Sequence, residues 1–108
     1  MKFQAKHVTL KIEIVQLDSK ERELSVPPLN AQKAANLLDR LIEEDEKFDS
    51  SHEKNKPIYT ELSAHYARQL ADIYGTEASY WSDNVDGTTI ADVKRYVIDE
   101  LLGVRKKD

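Results

Sequence analysis

The sequence predicts an α+β fold: an N-terminal β-hairpin followed by a three-helix, mainly α body, in the order ββααα. Three observations carry that reading. Apolar residues alternate with polar ones over residues 7–15, the period of a half-buried strand. Apolar residues recur at helical spacing in three later stretches. Turn-forming residues stand between these stretches, at Asp18-Ser19-Lys20, Pro27-Pro28, Gly75 and Asp86-Gly87.

In the first strand Val8, Leu10, Ile12 and Ile14 share one face, and Thr9, Lys11 and Glu13 the other. After the polar turn, Leu24 and Val26 alternate with Glu23 and Ser25 in a shorter second strand. Pro27-Pro28 ends the hairpin, because proline supplies no ladder donor. Asn30 is a suitable N-cap for a helix from Ala31 to about Phe48, with Ala34, Leu38, Leu41, Ile42 and Phe48 as its apolar stripe. The last turns of that helix carry Glu43, Glu44, Asp45 and Glu46, the unfavourable end for negative charge. Fraying or a basic partner is expected there. Residues 49–56 contain no apolar side chain and read as a loop.

Pro57 suits the first position of a second helix, with Ile58, Leu62, Tyr66, Leu70 and Ile73 on its buried side and Gly75 as a left-handed cap. Residues 76–87 read as a connector containing Tyr80 and Trp81. A third helix is expected from Thr88 or Thr89, with Thr89 and Asp92 as a capping box. Its core face is Ile90, Val93, Val97 and Leu101, and Gly103 should stop it.

Composition bounds the chemistry. The 108 residues are the size of one domain, 1–108, and size scaling puts roughly 6,100 Å² of surface on the folded chain. Sixteen Lys and Arg face twenty Asp and Glu, a net charge of −4 that argues against a general nucleic-acid binder. The absence of Cys excludes disulfides and Cys-based zinc sites and is compatible with a reducing cytoplasm, the expected location. No apolar run is long enough to span a membrane, and residues 1–7 show no signal-peptide pattern.

The candidate motifs are weak as chemistry. Asp83-Asn84-Val85-Asp86-Gly87 looks like a calcium loop, but that register puts Ser82 first and Val93 twelfth, where acidic ligands are required. Ser51-His52-Glu53-Lys54 and Ser82-Asp83-Asn84 mimic two elements of penicillin-recognising enzymes, but the third element is missing and the chain is too short. His7, His52 and His65 lack metal-ligand spacing, and the three glycines stand singly, so no phosphate loop exists. No catalytic residue, cofactor or metal is expected. The Arg105-Lys106-Lys107 tail fits helix-end charge complementarity. Two features suit protein contact: the acidic run Glu43, Glu44, Asp45 and Glu46, as a dock for a basic partner, and the pair Tyr80-Trp81. The pair also suits a core plug, and the two side chains cannot both face inward. A two-stranded hairpin leaves an edge, with Val15 and Phe3 nearby, through which copies could self-associate.

The C-terminal half runs Tyr66-x-x-x-Leu70-x-x-Ile73-Tyr74-Gly75, then Trp81, Asp86-Gly87, Ile90, Val93, Val97 and Asp99-Glu100-Leu101-Leu102-Gly103. This pattern of residue classes, behind a hairpin and the Ala31–Phe48 helix, resembles the tail assembly chaperones of long, non-contractile-tailed bacteriophages. The resemblance implies a non-enzymatic protein of the host-cell cytoplasm. Its implied partners are the tape-measure protein and the tail-tube protein, with no nucleic acid or membrane involved. It carries no catalytic motif to transfer. A different class of reading is a small acidic adaptor or regulatory domain that binds a basic host or phage protein.

Overall fold

The computed structural model describes residues 1–4, 7–52, 54–56 and 58–106, with side chains through residue 103. Two strands, β1 (Ile12–Val15) and β2 (Glu21–Leu24), form an antiparallel hairpin. Four helices follow: α1 (Ala31–Ser50), α2 (Tyr59–Tyr74), α3 (Ala78–Asn84) and α4 (Gly87–Lys106). The α+β class stands, but the body has four helices among the described residues rather than three.

The hairpin pairs Ile12 with Leu24 and Val15 with Glu21. Its loop is three residues long, closed by Gln16 N–H to the Lys20 carbonyl at 2.8 Å. Ser19 takes a left-handed φ of 69° there, the conformation a three-residue hairpin loop requires at its last position. The Asp18 carboxylate receives Lys20 N–H at 3.0 Å and the Gln16 amide at 3.2 Å. Those bonds hold its pKa below the usual carboxylate range. The regular ladder is shorter than the alternation over 7–15 suggests. After Pro27-Pro28 only Leu29 rejoins, exchanging two 2.9 Å hydrogen bonds with Val8, one residue out of the hairpin register. The core face is nevertheless as expected, since Val8, Leu10 and Ile14 are buried.

Asn30 caps α1, its side-chain oxygen accepting Lys33 N–H at 2.8 Å. The helix runs unbroken through its acidic turns to Ser50. Ala34, Leu38 and Leu41 are buried, but Ile42 lies partly in solvent. In α2 the buried side is rotated from the expected stripe. Leu70 is fully buried, whereas Ile58 is 62% exposed; Ala67, Ala71 and Tyr74 take the remaining core positions. Small alanines there let neighbouring helices approach closely. Pro57 lies outside the described residues, and Ile58 occupies the N-cap. Gly75 closes α2 in the left-handed conformation, with φ 69° and its N–H on the Ala71 carbonyl.

The connector over 76–87 contains α3, which the sequence reading missed. Ala78, Trp81 and Val85 lie on the side that meets the core. Helix α4 starts at Gly87, and its cap is Asp86 rather than a Thr89–Asp92 box. The Asp86 carboxylate accepts Thr89 N–H at 3.1 Å and the Thr89 hydroxyl at 2.6 Å, and those bonds lower its pKa. Ile90, Val93, Val97 and Leu101 are all buried, as their spacing requires. Gly103 does not stop α4; Gly75 is the glycine with positive φ among the described residues, and α4 continues to Lys106. The side chains of the Arg105-Lys106-Lys107 tail lie outside the described residues.

Helix α4 packs against both α1 and α2, and α3 packs against α2. The fold is flat, 53 × 38 × 18 Å, which explains a surface of 7658 Å² against the smaller value expected from size. Trp81 sits fully buried at the α2–α3 junction, its indole N–H donating to the Thr76 hydroxyl at 2.9 Å. Tyr74 packs beside it at 6.2 Å between ring centroids. The Tyr74 hydroxyl is buried with no hydrogen-bond partner among the described residues, and burial together with nearby Tyr96 pushes its pKa up. A buried unpaired hydroxyl costs stability that its removal returns. Tyr74→Phe should therefore raise the unfolding free energy by about 1 kcal/mol, read from urea midpoints at constant m. A loss of similar size would show that the hydroxyl is satisfied.

Candidate functional site

The α1 stripe of Ala34, Leu38 and Leu41 continues at helical spacing through Asp45 to Phe48. The sequence therefore places a carboxylate on the core side of the helix. Helix α4 does the same with a cation, since Lys94 falls between Ile90 and Val97 on its buried side. The two meet where α1 and α4 pack. Lys94 Nζ lies 3.1 Å from each Asp45 oxygen. From α2, His65 Nε2 lies 2.8 Å from Asp45 Oδ1, and the Gln69 amide donates to the same oxygen at 3.0 Å. A carboxylate only accepts, so His65 carries a proton on Nε2. Lys94 also donates to the Gln69 side-chain oxygen, and Gln69 donates to Glu44 at 3.2 Å.

Aromatic rings enclose the cluster. His65 stacks on Phe48 at 4.4 Å, and Lys94 Nζ lies 4.5 Å from the centre of the Tyr66 ring. Burial pushes the Asp45 carboxyl up, but the bonds from His65, Lys94 and Gln69 and the Lys94 charge outweigh it, so its pKa is lowered. Burial dominates at Lys94, whose pKa falls below the ordinary ammonium value despite its counter-ion. The difference follows from exposure: the Asp45 side chain is 35% exposed and that of Lys94 6%. The ammonium has given up more hydration. Burial, then the Asp45 and Asp49 charges, raises the Tyr66 pKa.

The acidic run is thus split. Asp45 finds its basic partner within the chain, Glu43 pairs with Lys47 at 3.1 Å one turn on, and Glu46 is exposed. Arg40 and Asp72 add a second tie between α1 and α2 at 2.6 Å. The aromatic pair is also split. Trp81 is fully buried, while half-buried Tyr80 donates to the Gln16 side chain at 2.8 Å and carries Arg22 over its ring at 4.3 Å. Tyr80 clamps the hairpin to α3.

The structure brings Ser51, His52 and Glu61 into a row that resembles a nucleophile, base and carboxylate. Ser51 Oγ lies 2.9 Å from His52 Nδ1, and His52 Nε2 lies 3.2 Å from Glu61. His52 Nδ1 is also 2.8 Å from the Phe48 carbonyl, to which Ser51 Oγ donates at 2.7 Å. Both imidazole nitrogens face acceptors, and the group closes the free carbonyl end of α1. Among the described residues, no three His, Cys, Asp or Glu side chains are grouped to hold a metal ion, and no helix is long and apolar enough to cross a membrane. The signal that could have located the buried cluster was present: a charged residue on the apolar stripe of each of two helices.

Comparison of the chain with protein-family models, curated proteins and solved structures gives no match.

Removing Asp45 leaves Lys94 buried without a counter-charge, so Asp45→Ala should cost about 2 kcal/mol, below the usual range for a fully buried pair because Asp45 is partly hydrated. The double variant Asp45→Leu with Lys94→Met should recover part of that loss, the remainder being the His65 and Gln69 donors left without their acceptor, and equal instability of single and double variants would refute the account. Asp45 has its pKa lowered by folding, so its contribution is present above the unfolded value of 3.8 and lost as pH falls through the folded one. Urea midpoints should fall as the pH is taken below about 4, and Asp45→Asn should flatten that slope.

Proposed function

We propose that the chain is a non-enzymatic assembly chaperone of phage tails that binds the tape-measure protein and aids tail-tube assembly. The observation that carries this reading is the run of resembling residues from Tyr66 to Gly103, which occupies α2, α3 and α4 as one packed unit. Helix-borne side chains on the outside suit such a partner. Ile42 and Tyr59 are exposed, as is the N-cap residue Ile58, and Glu43 and Glu46 face solvent. A tape-measure protein presents long amphipathic helices, and a helical partner shields their apolar faces by groove packing. In the packed core Trp81 is an internal support, so the contact falls to exposed side chains and to the outer acidic residues.

Co-expression tests the reading. The chain and its phage's tape-measure protein should co-elute, with more tape-measure protein in the soluble fraction. Ile58→Asp, which also gives α2 a better N-cap than Ile, should reduce recovery several-fold without lowering the chain's own unfolding midpoint. Separate elution with unchanged tape-measure solubility would exclude the chaperone role and favour the acidic adaptor.

A further inference from the structure

The free edge of β1 is a window rather than an open rim. Gln16 N–H bonds across the hairpin to Lys20, so even-numbered β1 residues direct their backbone groups at β2. Odd-numbered residues direct theirs the other way. Two contacts follow that parity: Tyr96 Oη reaches the Lys11 carbonyl at 3.5 Å, and Leu17 N–H donates to the Asn84 carbonyl at 2.9 Å. Between these closed ends, the N–H and C=O groups of Glu13 and Val15 have no backbone partner among the described residues. Beside them runs a groove of about 430 Å³ whose other wall is α4, through Thr89, Asp92, Val93 and Tyr96.

We propose that this groove takes an extended peptide as a third strand, and that the peptide alternates basic and apolar side chains. The mode is strand addition, in which main-chain bonds bind and alternate side chains select. Charge specifies the basic set. Glu13 lies directly opposite Glu23 on the outer face, an unfavourable like-charge pair in the closer type of cross-strand site. Lys11 reaches Glu23 at 3.2 Å, but no ion pair reaches Glu13 among the described residues. A Lys or Arg on an added strand beside Glu13 supplies the missing cation. Neighbouring residues of that strand point to the α4 wall, where Val93 and Tyr96 suit apolar side chains. A second copy of this chain fits less well: each β1 would bring its own α4 into the same space below the joined edges.

The probe is the fluorescein-labelled peptide Ac-KVKVK-NH2, titrated by anisotropy against the whole protein, with Ac-KPKPK-NH2 as an equal-charge peptide that cannot form a strand. Ac-KVKVK-NH2 should bind saturably at least tenfold more tightly than the proline peptide. It should slow hydrogen exchange at the Glu13 and Val15 amides tenfold or more. Val15→Pro removes one edge donor from a position that faces away from β2, and it should weaken binding about tenfold. Glu13→Lys, which leaves the backbone intact, should do the same. Equal binding of the two peptides, no binding by 1 mM, or unprotected Glu13 and Val15 amides at saturation would each overturn the proposal. So would Glu13→Lys protein that binds as the parent does, or concentration-dependent protection of these amides without peptide, which would assign the edge to a second copy.

Discussion

The ion pair between Asp45 and Lys94 is the constraint around which the helices are arranged. Each charge occupies a position on an otherwise apolar stripe, so neither α1 nor α4 can bury its face without the other. A charge left in such a site without its partner costs several kcal/mol, whereas the formed pair returns little more than its desolvation. The pair therefore does more to choose an arrangement than to strengthen it. Sliding α1 by one turn along α4 would align Leu41 with Lys94 and leave Asp45 against apolar side chains. His65 and Gln69 extend the same selection to α2, because both donate to Asp45.

The hairpin is held to this helical frame by a small number of polar contacts at its tip. Leu17 N–H meets the end of α3 at Asn84, and Gln16 meets Tyr80. The buried side chains of Leu10, Ile14 and Leu24 complete the attachment beneath. Helix α3 thus joins two jobs. Trp81 fills the core, and its neighbour Tyr80 turns outward to hold the strands. Adjacent aromatics on a helix point about 100° apart, which is why one short element serves both layers.

Much of the fold was legible because it follows from period and capping. The alternation through Ile14, the Asn30 cap, the Gly75 cap and the α4 face from Ile90 to Leu101 all follow local rules. Where the reading failed, local and tertiary signals conflicted. Helix α3 is only seven residues long and has no side-chain cap, so its composition looked like a loop. Gly103 resembles a stop signal, yet a glycine ends a helix only if the chain turns left-handed there. On α2 the large residues Ile58 and Leu62 dominate the periodicity, whereas the small Ala67 and Ala71 take the buried positions. The buried cluster was visible only as charges on apolar stripes, and their partners are far apart in sequence. The four residues of the acidic run are adjacent in sequence, but helical geometry sends them in different directions.

Helix α4 packs on both α1 and α2 and is the final described element. Asp45 precedes Lys94 by 49 residues. At synthesis rates of about 5–20 residues per second, some 2–10 s pass between the two. Throughout that interval the faces of α1 and α2 that α4 covers stay open, although α2 can already pack on α3. The core shared by α1, α2 and α4 is thus closed late, and until α4 is made those faces stay vulnerable to aggregation.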